Sequence, residues 1–86
     1  MKYLILERLG PIFEVPVIFP CAIDHDQMAR RFGIGGQEGV ANVVSAGFVQ
    51  VSNAGVVSCY SHSTTIPDKP PRPEDDAIIQ RMLDKY

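Results

Sequence analysis

Prolines divide this chain into two parts. Four of the seven prolines stand in residues 67–73, and each one fixes its own φ and disfavours a helical conformation in the residue before it. This segment suits neither a helix nor the interior of a sheet, so we expect a Pro-rich extended spacer. It separates a core of residues 1–66 from a C-terminal segment of residues 74–86. Because 86 residues bury only one compact core, the parts form a single domain overall.

The first twenty residues have the pattern of a β-hairpin. Two apolar runs, residues 2–8 and 13–19, are separated by a Gly-Pro turn signal. The first run is apolar at successive positions, so both of its faces need cover and it belongs in the middle of a sheet. The second run alternates with a period of two, and Pro16 cannot donate to a strand ladder. This combination predicts an edge strand.

Helix-end signals surround residues 25–32. Asp24 is a candidate N-cap, Gln27 completes a capping box, and Gly33 suits the left-handed position after the last turn. We therefore predict a short helix, which covers part of one sheet face with a narrow apolar stripe. The stripe has two members, Met28 and Phe32.

Strand patterns return after a glycine-rich connection. Residues 33–39 hold four glycines, but not at the spacing of a phosphate-binding loop. Residues 42–51 and 56–64 are rich in β-branched residues, and the Asn-Ala-Gly turn of residues 53–55 joins them into a second hairpin. Gly47 marks a bend or a close backbone approach within the first of these strands.

These elements predict an α+β fold with a ββαββ core, followed by the spacer and a C-terminal helix. The sheet is four-stranded and mainly antiparallel, with the strands in the order 2-1-3-4. This order places the two apolar strands at the centre and the more polar strands at the edges.

The C-terminal helix is predicted to be amphipathic. Its acidic first turn holds Asp75 and Asp76, which complement the positive end of the helix dipole, and we expect both side chains to be solvated. Apolar residues recur at spacings of three and four, and this face needs a surface to lie on. The predicted interaction residues are Ile78, Ile79, Met82, Leu83 and Tyr86.

Several segments resemble small uncharacterised proteins encoded by bacterial phages and prophages. The resemblance is carried by residues 14–20, His25, residues 28–29, residues 45–48 and residues 59–63. It implies a phage or prophage origin and a cytoplasmic location. It implies no activity.

The charge distribution narrows the choice of partners. Eight basic and ten acidic residues give a net charge of −2, and no basic face is concentrated enough for phosphate contacts. We therefore expect no nucleic-acid binding.

No apolar run reaches the roughly 18 residues of a membrane span, so we expect no membrane association and a cytoplasmic protein.

Two cysteines and two histidines match the ligand inventory of a structural zinc site. They fall in the pairs Cys21 with His25 and Cys59 with His62. In a regular strand, however, residues 59 and 62 point to opposite faces, and His25 lies at a helix start. We therefore expect no metal and no other cofactor. Two buried thiols, a partly buried His25 and an exposed His62 are predicted instead.

Two functions of different class remain. In the first, the chain is a non-enzymatic protein-interaction or self-associating module, a homodimer or a binder of a host protein. Its C-terminal helix then docks on the sheet of a neighbouring copy, with docking on its own sheet as the alternative. In the second, it is a small metal-binding or thiol and histidine enzyme domain. The groups available to that enzyme are Cys21, His25, Cys59 and His62.

Overall fold

A computed structural model describes residues 1–8, 13–31 and 42–85. The predicted first turn at residues 9–12, the end of the first helix at Phe32, the glycine-rich connection at residues 33–39 and Tyr86 lie outside the described residues. The described elements are β1 (Lys2–Arg8), β2 (Phe13–Phe19), α1 (His25–Arg31), β3 (Asn42–Val51), β4 (Val57–His62) and α2 (Asp75–Asp84).

The four strands form one antiparallel sheet in the order β2-β1-β3-β4. This confirms the predicted α+β class and the predicted strand order. The edge position of β2 follows from Pro16, and the central position of β1 follows from its two apolar faces. Tyr3, Leu4 and Ile5, three successive residues of β1, have no exposed surface.

Each face of the sheet is covered by one helix. On the first face α1 packs against a cluster that includes Leu4 and Phe19 of the sheet and its own Ala29. On the second face α2 packs against Tyr3 and Ile5, with its own Ile79 fully buried. The C-terminal helix therefore docks on the sheet of its own chain. This is the docking given as the alternative in the sequence analysis, and not the docking on a neighbouring copy.

At the start of α1, one of the two hydrogen bonds of the predicted capping box is present. The side-chain Oε1 of Gln27 accepts a hydrogen bond from the backbone N–H of Asp24 at 3.0 Å, which is the reciprocal bond of that motif. The Asp24 carboxylate lies 3.6 Å from Lys2 Nζ of β1. This contact fastens the start of α1 to the central strand.

The segment predicted to be an extended spacer begins with a turn and is fastened to the sheet, so it is not extended throughout. A turn closes where the N–H of Lys69 donates to the carbonyl of Ile66 at 3.3 Å, and the Lys69 carbonyl accepts from Ala46 N–H of β3 at 2.9 Å. A carbonyl between prolines remains a good acceptor, and β4, ending at His62, leaves this N–H of β3 without a strand partner. We call residues 66–73 the strap.

A bulge in β4 makes room for the strap. Gly47 pairs with His62 and Phe48 pairs with Tyr60, which leaves Ser61 unpaired with a φ of 53°. A Cβ atom at Gly47 would lie 2.6 Å from the Ser61 carbonyl oxygen and 2.8 Å from Pro71 Cγ. Gly47 therefore allows a close backbone approach, as its position in the strand predicts.

We expect Gly47→Ala to lower the free energy of unfolding by about 3 kcal/mol, because the new methyl overpacks a site bounded by backbone. Gly55→Ala is the matched control: its φ is +81° but its Cβ would meet no atom within 4 Å, so backbone strain alone costs about 1 kcal/mol. Urea unfolding of both variants tests this. An equal loss in the two variants would contradict the packing account.

Candidate functional site

The carboxylate of Asp75, at the start of α2, is completely buried. Its Oδ2 accepts hydrogen bonds from the Tyr3 hydroxyl at 2.7 Å and from the Arg72 backbone N–H at 3.0 Å. Its Oδ1 accepts from Arg72 Nε at 3.0 Å. The prediction of a solvated Asp75 is therefore wrong. The strap places the guanidinium of Arg72, three residues before Asp75 in the sequence, against the buried carboxylate. Asp76 is exposed, as predicted.

Arg72 continues the chain of contacts to β2. Its two terminal nitrogens donate to the two carboxylate oxygens of Glu14 at 3.0 and 2.8 Å, a bidentate geometry that suits guanidinium and carboxylate. These hydrogen bonds lower the pKa of Glu14, although partial burial opposes them. We call Tyr3, Glu14, Arg72 and Asp75 the Asp75 network.

Burial and the neighbouring carboxylate set the protonation of Tyr3. Desolvation is the larger cause and the hydrogen bond to Asp75 the next, and both raise the pKa of the Tyr3 phenol. The hydroxyl therefore stays protonated and donates, which Asp75 requires. The pKa of Arg72 is raised chiefly by its hydrogen bonds to Glu14, so this guanidinium stays charged.

Side chains of α2 also close the outer edge of β4. The N–H of Val57 donates to Gln80 Oε1 at 2.8 Å, and the N–H of Cys59 donates to Asp76 Oδ1 at 2.9 Å. Without these bonds, the two N–H groups would be free to pair with a strand of another chain. The helix thus takes the place of a fifth strand.

Pro16 closes the opposite edge of the sheet. The N–H and C=O of Val49 bond to Met1, so alternate residues of β1, including Ile5, direct their backbone groups toward β3. Ile5 lies opposite Pro16 of β2. Because the backbone groups of Ile5 point away from β2, those of Pro16 point away from β1, toward the open edge of the sheet. Proline has no N–H to donate there. An added strand would lose a hydrogen bond at this point.

A groove of about 700 Å³ runs between β2 and α2. Its middle is apolar, while two carboxylates stand at the end near the start of α2 and two basic side chains stand toward the end of α2. The lining residues are Glu14, Val15, Pro16, Glu74, Ile78, Arg81, Met82 and Lys85. The acidic end adjoins the Asp75 network, because Glu14 belongs to both.

The predicted interaction residues divide between the core and this groove. Ile79 is fully buried in the second cluster, and Leu83 packs against the same cluster. Ile78 and Met82 also touch that cluster, but they line the groove as well. The surface of α2 open to a partner is therefore the side that carries Ile78 and Met82.

The structure does not bring together the four residues considered as candidate metal ligands. His25 is buried on the α1 side, where its Nε2 donates to the Gly47 carbonyl at 2.7 Å and its ring packs edge-on against Phe19 and Phe48. Cys59 packs against the cluster on the α2 side. Within residues 1–8, 13–31 and 42–85, no group of three or more potential ligands could hold a metal ion.

The two thiols differ from the prediction that both are buried. Cys21 is exposed, because it lies in the turn before α1 and not in a strand, and Cys59 is half-buried. Burial and a hydrogen bond to Asp76 raise the pKa of the Cys59 thiol to about 12. At neutral pH this thiol is protonated and is therefore a poor nucleophile and a poor metal ligand. His62 is exposed, as predicted.

Sequence reasoning missed the Asp75 network. Arg72 and Glu14 are 58 residues apart and Tyr3 and Asp75 are 72 residues apart, and one sequence has no signal for such pairing. The one available hint is an arginine among prolines, next to an acidic helix start. It does not identify a partner in β2.

In comparisons with known proteins, no family model, no curated protein and no solved structure matches the chain. The resemblance to phage and prophage proteins therefore stays a prediction. No helix in the described part of the chain is both long enough and apolar enough to cross a bilayer.

We expect Asp75→Asn to lower the free energy of unfolding by about 3 kcal/mol, because it removes one charge from a buried ion pair and leaves its partner in place. Asp76→Asn is the matched control next to it: the side chain is exposed and the amide keeps the oxygen that accepts from Cys59. Chemical denaturation at pH 7 compares the two. Equal, small losses would show that Asp75 is not held as described.

The lowered pKa of Glu14 predicts a dependence of stability on pH. A carboxyl whose pKa falls on folding stabilises the folded state above its unfolded-state pKa and loses that effect as the pH falls through its folded-state pKa. We expect the free energy of unfolding to decline below about pH 4.5, the ordinary glutamate value. Glu14→Gln should be less stable than the parent at pH 7, with the difference shrinking toward acid pH. A difference independent of pH would contradict this.

Proposed function

We propose that this chain is a non-enzymatic protein-interaction module of the cytoplasm, and that the groove between β2 and α2 is its contact surface. The observation that carries the proposal is the composition of the groove: apolar side chains at the centre and opposite charges at the two ends. A central apolar patch with a polar, solvent-accessible rim is the arrangement found at protein interfaces.

The closed sheet edges support a contact made by side chains. Pro16 interrupts one edge, and Gln80 and Asp76 occupy the donors of the other. Addition of a strand is the common way for a small sheet to bind an extended peptide. Here the two edges disfavour it, which leaves the groove as the better surface.

The alternative, a metal-binding or thiol enzyme domain, has less support. His25 and Cys59 lie against opposite faces of the sheet, and the Cys59 thiol is protonated at neutral pH. The carboxylate of Asp75 is fully buried and accepts hydrogen bonds from Arg72 and Tyr3. Each of these groups already has a structural role in the fold.

The test is co-purification from cells of the host that express tagged protein, with a second, differently tagged copy present. The groove variant is Arg81→Glu with Lys85→Glu, two exposed positions of the groove. The matched control is Arg31→Glu with Lys69→Glu, which makes the same change of charge at exposed positions elsewhere.

We expect at least one protein, whether the second copy or another, to be retained by the parent and the control and to fall about tenfold with the groove variant. Tenfold corresponds to about 1.4 kcal/mol of binding free energy. If every protein that is retained binds all three forms equally, or if the parent retains none, the proposal is wrong. Circular dichroism of each form checks that the fold is intact.

A further inference from the structure

We infer that the partner bound in the groove is a second copy of the same chain, with the two α2 helices antiparallel about a two-fold axis. This rests on the proposed function, because it takes the groove as the contact surface. It adds the identity of the partner and the geometry of the contact.

The first argument is the order of side chains along one side of α2. Glu74, Ile78, Arg81 and Lys85 are spaced by four, three and four residues, so they form one stripe along the helix. All four line the groove. The stripe begins with an acid, continues with an apolar residue and ends with two bases.

The second argument is that the two charged ends of this stripe complement each other when one copy is reversed. In an antiparallel pair with Glu74 opposite the partner subunit's Lys85, the axis passes between positions 79 and 80. Ile78 then lies opposite the partner subunit's Arg81, whose aliphatic stem can cover it while the guanidinium stays in solvent. A parallel pair would instead place like charges together. A contact in which one patch binds an identical patch is the isologous arrangement of two-fold dimers. The antiparallel alignment also pairs opposite ends of the two helix dipoles.

The third argument is that the charged groups are available. Arg81 and Lys85 are exposed, and within the described residues neither forms an ion pair. The Glu74 carboxylate is 59% exposed and lies 4.0 Å from Arg72 Nε, at the limit of an ion pair. A partner's base can therefore approach this carboxylate from the groove.

The small size of the contact is typical of weak interfaces. A ten-residue helix is about 15 Å long, so a pair of them with the wall of β2 falls in the smallest class of interfaces, below about 1,200 Å² in total. We therefore expect a dissociation constant on the order of micromolar or weaker. The charged ends make it weaken as salt is added.

The test is sedimentation velocity on the full chain and on charge variants, over protein concentrations that bracket the micromolar range. Glu74→Lys alone and Lys85→Glu alone each place like charges together, and each should weaken self-association at least tenfold. The double variant exchanges the two charges and restores the antiparallel pairing, so it should dimerise as the parent does. Lys69→Glu, exposed on the strap, is the control and should dimerise normally.

Thermal unfolding of every variant shows whether it is folded, and Lys85→Glu remains a single reversal at the other end of α2 if Glu74→Lys disturbs the neighbouring Arg72. A parent that stays monomeric over these concentrations overturns the inference. So does a dimer that is indifferent to the single reversals, or one that the double variant fails to restore. In any of these cases the proposed function still stands if another protein binds through the groove in the co-purification experiment, and it falls if none does.

Discussion

The buried carboxylate of Asp75 is the contact on which the rest of this structure depends. A charge without solvent is costly unless it is paired and hydrogen-bonded, and here Arg72 and Tyr3 meet both requirements. Because Arg72 also binds Glu14, one guanidinium joins α2, the strap and β2. A shift of α2 along the sheet would separate Asp75 from the Tyr3 hydroxyl and Arg72 from Glu14. The network therefore sets where the helix docks.

Three features follow from that docking. The apolar residue Ile79 covers the second face of β1, which a sheet with only α1 would leave open. Gln80 and Asp76 reach the free donors of β4 and close that edge. The remaining side of α2 forms the groove with β2, so the surface proposed to bind a partner is a product of the same contact that completes the core.

Local patterns were enough to predict the sheet, and they were not enough to predict the Asp75 network. Two apolar faces place β1 at the centre, and Pro16 places β2 at an edge, since both arguments concern single strands. The helix dipole by itself explains an acidic residue at position 75. The sequence therefore gives no reason to expect that Asp75 binds Tyr3, 72 residues away. The attachment of the strap to β3 is not predictable for a similar reason: proline rules exclude regular elements, but they do not say which backbone groups accept hydrogen bonds, such as the Lys69 carbonyl that accepts from Ala46. The groove combines β2 with α2 and has no sequence signature.

Native-state hydrogen exchange tests most directly whether α2 is an integral part of the fold. The amides of Val57 and Cys59 bond to side chains of α2, whereas the amide of Leu4 belongs to the central strand. If the Asp75 network holds the helix as described, these three amides exchange with the same free energy, that of global unfolding. Exchange of Val57 and Cys59 through a smaller opening, with Leu4 still protected, would contradict the account.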